Sequence, residues 1–440
     1  MTGPDPAASR RKLGLWMATA LVVGNMIGSG VFMLPASLGP YGGISLVGWL
    51  FTSTGALLCA LAFARLAGKI PRAGGPYAYT RAGLGQFAGF LVAWGYWISI
   101  CAGNAAIAVG MVGYLGFFWQ PLARVPGLGA MVAVAAVWLL TWVNARGVRE
   151  AGGVQLVATT LKLLPLVAVG TIGLAFIHGD HFVPFNPSGR STLSAVSATA
   201  TLTLWAFLGL ESATVPAGDV ERPERTIPRA TLVGTLLTAA VYVAGTVAVM
   251  GVIPAATLAS STAPFADAAS VMWGGWAAYA VAAGGAISCF GALNGWVLLQ
   301  GQIPMAAAMD GLLPRLFGRL SARGTPAMSL VLSSLLVTLI VAANYTRGLV
   351  AAFTFIILVS TMASLVPYAC SMAALLFLDW RDRRHLLGGQ LARALTVALL
   401  ALLYSLWAIA GSGVEAILWG GVLLLAGVPV YARLRPGLST

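Results

Sequence analysis

An all-helical bundle of twelve membrane spans, built as a five-plus-five inverted repeat, is the fold class this sequence predicts. Three observations predict it. The 440 residues are 59% hydrophobic and only 8% charged, with a mean hydropathy of +0.89, whereas soluble domains carry roughly 25% charged residues. Apolar runs of about 20 residues, the length that crosses the hydrocarbon core, recur along the whole chain. Two of these runs, the first and the sixth, are interrupted by glycine.

The runs place spans at 13–38, 43–68, 84–118, 127–145, 152–178, 193–218, 229–253, 267–303, 326–343, 347–378, 390–411 and 414–433. Residues 1–12 are then a tail, and the first apolar segment is too long for a cleavable signal peptide. Twenty-one Lys and Arg fall on the side of the two termini, against Arg124, Arg190 and Arg347 on the other, with Lys162 inside a span. The positive-inside rule therefore puts both termini in the cytoplasm. The net charge of +13 is a topology signal and implies no nucleic-acid partner.

The first span contains Gly24-Asn25-Met26-Ile27-Gly28-Ser29-Gly30. Three glycines at membrane depth interrupt a helix, and each unpaired backbone group there costs several kcal/mol. Such a break persists where it lines a cavity, and the half-helix that restarts beyond it aims its positive end into that cavity. That is the pattern of a secondary transporter with a site for an anionic group such as a substrate carboxylate. The sixth span carries Trp205-Ala206-Phe207-Leu208-Gly209-Leu210-Glu211-Ser212. Breaks five spans apart imply a repeat of spans one to five (13–178) and six to ten (193–378). Because five is odd, the second copy is inverted, and spans eleven and twelve (390–433) lie outside. The plainer alternative is that Gly209 only permits close helix packing.

Glu211 is the one acid this reading puts deep in a span, a candidate proton carrier or gating switch. Lys162 is its basic counterpart. Either it changes charge during transport, or its ammonium stands where related architectures bind sodium, or it snorkels to the interface. Trp205 and Trp296 flank glycine-containing segments and could hold a cation on their faces, while Asn25 and Asn104 are polar groups at depth. The four cysteines lie in apolar segments as free thiols. His178, Asp180 and His181 read as solvated loop residues, so neither a metal nor a cofactor is expected. Three histidines outside the spans and one buried glutamate assemble no catalytic centre, and no ring of charges suggests a channel.

These residues also carry a resemblance. GNMIGSGVFMLPA (24–36), GGPYAY (74–79), YWISICAGNAAI (96–107), LWAFLGLESATVPAGDVERPERTIPRAT (204–231), STAPFADAA (261–269), LNGWVLLQGQ (293–302) and SLVPYACSMAALL (364–376) are similar to the amino acid–polyamine–organocation superfamily. Within it, the chain resembles the bacterial basic amino acid/polyamine antiporters, most of all those exchanging arginine for agmatine. The resemblance covers nearly the whole chain and implies the LeuT-like inverted-repeat fold in the bacterial inner membrane, as a homodimer.

By position it implies that Ser29 and Gly30 receive the substrate carboxylate and that the carbonyls of Met26, Trp205 and Leu208 hold the α-amino group. Trp296 would stack on the substrate's terminal cation, with Asn104 and Ser360 as further contacts. Tyr77 and Tyr368 match gate positions, Trp205 the gating tryptophan, and Glu211 the carboxylate of pH-dependent gating. Ser99, Ile100 and Ile107 occupy positions that would meet the substrate's head group, where Ala, Cys and Met are usual, and Ala206 replaces a serine. Lys162 departs further, because that branch typically lacks it; it looks like the fifth-helix lysine of proton-coupled amino acid transporters. The expectation is an antiporter exchanging a cationic amino acid for its decarboxylated amine, with proton-coupled symport through Lys162 as the alternative.

Overall fold

The computed structural model describes residues 14–72, 74–146, 161–214, 217, 220–344, 348–383 and 388–434. The expected tail 1–12 and the start of the fifth span lie outside these residues. Eleven helices among the described residues are long and apolar enough to cross a membrane, and the apolar helix Leu161–Phe176 stands at the fifth position. The described residues contain no β-strand. The third span, Gln86–Phe118, is the centre of the bundle, with 94% of its apolar window buried, while the last, Val414–Arg433, has only 22% buried. Exposed Leu418, Trp419, Val422 and Leu425 on that last span are what a lipid-facing surface looks like when the solvent is hydrocarbon.

The packing carries the repeat. The first half of the first span, Leu15–Met26, packs on the seventh span, Pro223–Val252; the first half of the sixth, Thr192–Leu204, packs on the second, Ile44–Lys69. Exchanging one with six and two with seven turns the first pairing into the second. The second and seventh spans also pack on each other, as do the third and the eighth, Gly275–Met309. Those are again partners under the five-span offset of an inverted repeat.

Several polar side chains at this depth are satisfied locally. Thr199 and Thr203 return their hydroxyls to carbonyls four residues back, and Thr52 of the second span reaches the hydroxyl of Thr203 at 2.8 Å. All four cysteines are free, three of them buried.

Several boundaries differ from the sequence reading. The expected eighth span, 267–303, is two helices: Pro264–Trp273, then Gly275–Met309. Between them Gly274 adopts φ +88°, which ends the first helix; both pieces are apolar, so hydropathy alone joins them. A short helix, Pro76–Leu84, occupies an expected loop, with Pro76 at its first position, where a missing N–H costs nothing. The sixth span is helical only over Thr192–Leu204, and the seventh starts at Pro223.

Candidate functional site

The helix of the first span stops at Met26; Ile27 is extended (φ −78°, ψ 95°), Gly28 takes φ −134° and ψ −137°, and a helix restarts at Ser29. A Cβ on Gly28 would lie 2.9 Å from Ala292 Cβ, so glycine is needed for the close approach to the eighth span. A helix end leaves its last carbonyls without N–H partners, and at membrane depth each must find another donor. Here four do. Lys162 Nζ donates to the carbonyls of Gly24 at 2.6 Å and Ile27 at 2.5 Å. Trp296 Nε1 donates to Asn25 O at 3.2 Å, and the Tyr242 hydroxyl to Met26 O at 2.5 Å. The fifth, seventh and eighth spans thus cap the break together. Lys162 is fully buried and does not snorkel; its ammonium sits at the negative end of a half-helix, the electrostatically favoured place for a cation.

In the sixth span a 3₁₀ turn over Trp205–Phe207 follows the helix, Leu208 is extended, and Gly209 takes φ +101°, a backbone region that suits glycine. Glu211 folds back into this unwound segment. Its carboxylate accepts from the Tyr96 hydroxyl at 2.5 Å, from the Tyr368 hydroxyl, and from the Gly209 N–H at 3.2 Å. The carboxylate is completely buried and ties the break to the third and tenth spans.

The two breaks meet at a small cavity. Ten expected residues line it: Asn25, Met26, Ser29, Gly30, Ser99, Ile100, Trp205, Leu208, Trp296 and Ser360, joined by Gly28, Gly103, Ile107 and Ala206. No charged side chain is among them. The Ser29 hydroxyl is buried without a hydrogen-bond partner, at the first residue of a helix whose cap supplies no side chain. An anion placed there would meet that hydroxyl, unpaired backbone N–H groups and the positive helix end. Trp296 is held in orientation by its bond to Asn25, and Ser360 Oγ donates to Ser99 O at 2.8 Å.

Other expected residues lie behind this lining or away from it. Asn104 does not line the cavity. Its Nδ2 donates to Gln300 Oε1 at 2.7 Å, and Gln300 passes the chain to Ser334, which meets Thr141. A buried amide takes the nearest acceptor, and here that is the eighth span. The Met26 carbonyl accepts from Tyr242 and the Trp205 carbonyl from the Leu208 N–H at 3.2 Å, which leaves each a second lone pair. Glu211, Tyr368 and Lys162 stand behind the lining. Tyr77 is farther off, its hydroxyl donating to Asp310 Oδ2 at 3.3 Å. Burial first, and the neighbouring Asp310 charge second, push the Tyr77 phenol well above its ordinary range.

Sequence reasoning missed Tyr96, Tyr242 and Gln300, and it missed a second buried acid. Asp379 is completely buried at the end of the tenth span, Leu349–Arg381. It accepts from Arg65 at 2.8 Å and from Lys69 at 2.9 Å. Lys69 also binds Asp382 at 2.9 Å, and chiefly that hydrogen bond holds the Asp382 carboxyl below its usual range. The cluster clamps the second span to the tenth on the side of the basic loops. On the other side, His181 Nδ1 bonds the Gly251 carbonyl at 2.9 Å, so that ring is occupied by the backbone.

Two unwound spans converging on a cavity that no charged side chain lines, with a helix start and two tryptophans in its wall, define a broken-helix membrane carrier. The chain belongs to the amino acid permease family, which it matches over residues 13–427. Within the amino acid–polyamine–organocation superfamily its similarities lie in the basic amino acid/polyamine antiporter branch. It is 31% identical to the putrescine transporter PotE of Haemophilus influenzae over 430 residues, 97% of both chains. It is 37% identical to the cadaverine/lysine antiporter of Escherichia coli over 332 residues, 75% of this chain and 74% of that one. Against the putrescine transporter PotE of Escherichia coli, identity is 30% over 434 residues, 98% and 97% of the two chains. The protein is a multi-pass membrane transporter.

Proposed function

We propose that this protein exchanges a cationic amino acid for its decarboxylated amine by alternating access in a bacterial inner membrane. Both termini are cytoplasmic, and the working form is a homodimer of two inverted-repeat cores. One observation supports the reading: Ser29 and Gly30, at the start of the restarted helix, and the indoles of Trp205 and Trp296 line one cavity. The first suits an α-carboxylate and the second a guanidinium or ammonium.

An amine product lacks the carboxylate but keeps the cation, so one cavity accepts both partners. Obligate exchange follows if only a filled cavity closes and lets the breaks move. Arginine with agmatine is the pair implied by the resemblance. Lysine with cadaverine stands beside it because a relative is named for those substrates.

Proteoliposomes preloaded with agmatine, cadaverine or putrescine test the proposal. Labelled arginine or lysine should enter loaded vesicles and not empty ones; equal uptake into both rejects exchange. Ser29→Ala should raise the KM of the amino acid and leave that of the amine unchanged.

The second reading, proton-coupled symport, draws on the Lys162 contacts. A proton leaving Nζ would weaken its hold on Gly24 and Ile27, coupling charge to the shape of the break. Lys162→Gln separates the two readings: gradient-driven uptake would vanish under symport, whereas exchange would persist under antiport.

A further inference from the structure

A second, open pocket lies on the face opposite the basic loops. Ser37 from the first span, Leu202 from the sixth and Thr354 from the tenth line it. The same three spans supply Ser29, Trp205 and Ser360 to the central cavity. Along the first and tenth spans the two sets of residues are separated by on the order of 10 Å, at 1.5 Å per residue. Ser37 Oγ and Thr354 Oγ1 are hydrogen-bonded at 2.7 Å, joining the first and tenth spans in the wall of this outer space. Bordered by the same three spans, it lies outward of the substrate cavity as an outer vestibule.

Arg190, from the connection between the fifth and sixth spans, reaches this vestibule, as does Glu415 at the start of the last span. The Arg190 backbone is fixed by a turn: its N–H donates to Ser188 Oγ at 3.3 Å and its carbonyl accepts from Asn186 at 2.9 Å. The guanidinium lies 5.8 Å from the Tyr41 ring centroid. Among the described residues no carboxylate is within ion-pair distance of it.

We propose that Arg190 is a capture residue for the α-carboxylate of the amino acid arriving from outside, and that it disfavours return of the exported amine. The inference rests on the amino acid/amine exchange proposed above. Decarboxylation removes the substrate's only negative group, so an amine offers this guanidinium nothing and is repelled by it. A cationic amino acid brings its carboxylate to Arg190, which its decarboxylated amine cannot do. The vestibule thus separates the two exchange partners by charge before either reaches the central cavity, which holds both. Arg190 gives the outer face a preference for the imported species.

The test is exchange in proteoliposomes of known orientation, with arginine or agmatine, then lysine or cadaverine, supplied outside. Arg190→Gln should raise the KM of the external amino acid about fivefold, the upper range for one exposed charge pair. It should lower the KM of the external amine and leave kcat unchanged for both. Arg190→Lys should keep wild-type selectivity, and added salt should narrow the wild-type difference by screening. Equal shifts for both partners, no shift, or the same shift with substrate on the inner face would overturn the proposal. If the wild-type protein exchanges neither pair, the exchange reading itself fails; if it exchanges and Arg190→Gln is indistinguishable, only this inference does.

Discussion

Replacing Lys162 with methionine tests how the first break is held. Methionine occupies similar volume, so the substitution removes two donors without opening a cavity. The ammonium's own desolvation cost disappears with it, and the loss is set by what remains: the carbonyls of Gly24 and Ile27, now without the donors at 2.6 and 2.5 Å. A buried polar group left without a partner costs about 1–3 kcal/mol, so two amount to about 2–6 kcal/mol. The neighbouring carbonyls keep Trp296 and Tyr242, which confines the damage to those two groups. The assay is unfolding of purified Lys162→Met in mixed micelles, alongside amino acid binding by calorimetry. Lys162→Gln, whose amide offers donors to the same carbonyls, should recover part of the loss. A methionine variant within about 1 kcal/mol of wild type, smaller than one orphaned carbonyl, and binding with unchanged affinity, would refute the argument that this lysine caps the break.

Three further outcomes follow from the same geometry. Glu211→Gln faces two phenol donors and a backbone N–H with a single acceptor oxygen; at least one donor is stranded at about 1–3 kcal/mol, and exchange rate measured against pH should lose its dependence on this site. Gly209→Ala adds a Cβ 3.2 Å from Trp296 Cζ2 at φ +101°, a backbone cost of roughly 1–2 kcal/mol for an L-residue; substrate affinity should fall while the protein remains folded by size-exclusion chromatography. Asp382 titrates lower when folded than when unfolded, so its contribution is complete above about pH 4 and is lost as pH falls through the folded value. Wild-type unfolding midpoints should therefore drop below pH 4 more steeply than those of Asp382→Asn.

Much of this architecture is legible in the sequence because lipid is an unforgiving solvent. Glycines 24, 28 and 30 and the carboxylate of Glu211 stand out in runs that otherwise read as uninterrupted spans, and they mark the two breaks that meet at the cavity. The partners that complete the breaks do not stand out. Tyr96, Tyr242 and Tyr368 are three of 11 tyrosines, and in a chain this apolar an aromatic residue is by default core or interface. Only the third dimension shows that their hydroxyls end on Glu211 or Met26. Asn104 went astray for a related reason: a buried amide must bond something, but the sequence does not say whether that is a ligand or Gln300 on the neighbouring span. Asp379 lies near a span end, where an acid reads as solvated, until Arg65 and Lys69 are seen to enclose it.

The distribution of these bonds constrains how the carrier can move. The carbonyl end of the first break is tied to the fifth, seventh and eighth spans, through Lys162, Tyr242 and Trp296. The second break is tied to the third and tenth, through Tyr96 and Tyr368 on one carboxylate. Neither set can be released singly into hydrocarbon, since each orphaned group would cost several kcal/mol. Movement must therefore exchange these partners for others or for a ligand. Trp296 belongs to both requirements, because its N–H holds the first break and its face lines the cavity. A substrate cation on that face would steady the ring and with it the Asn25 carbonyl. Trp296→Phe keeps a face and loses the donor, whereas Trp296→Leu loses both. Under this coupling phenylalanine should still bind the substrate cation but exchange slowly, and leucine should fail to bind; equal exchange by the phenylalanine variant and wild type would break the link between occupancy and the first break.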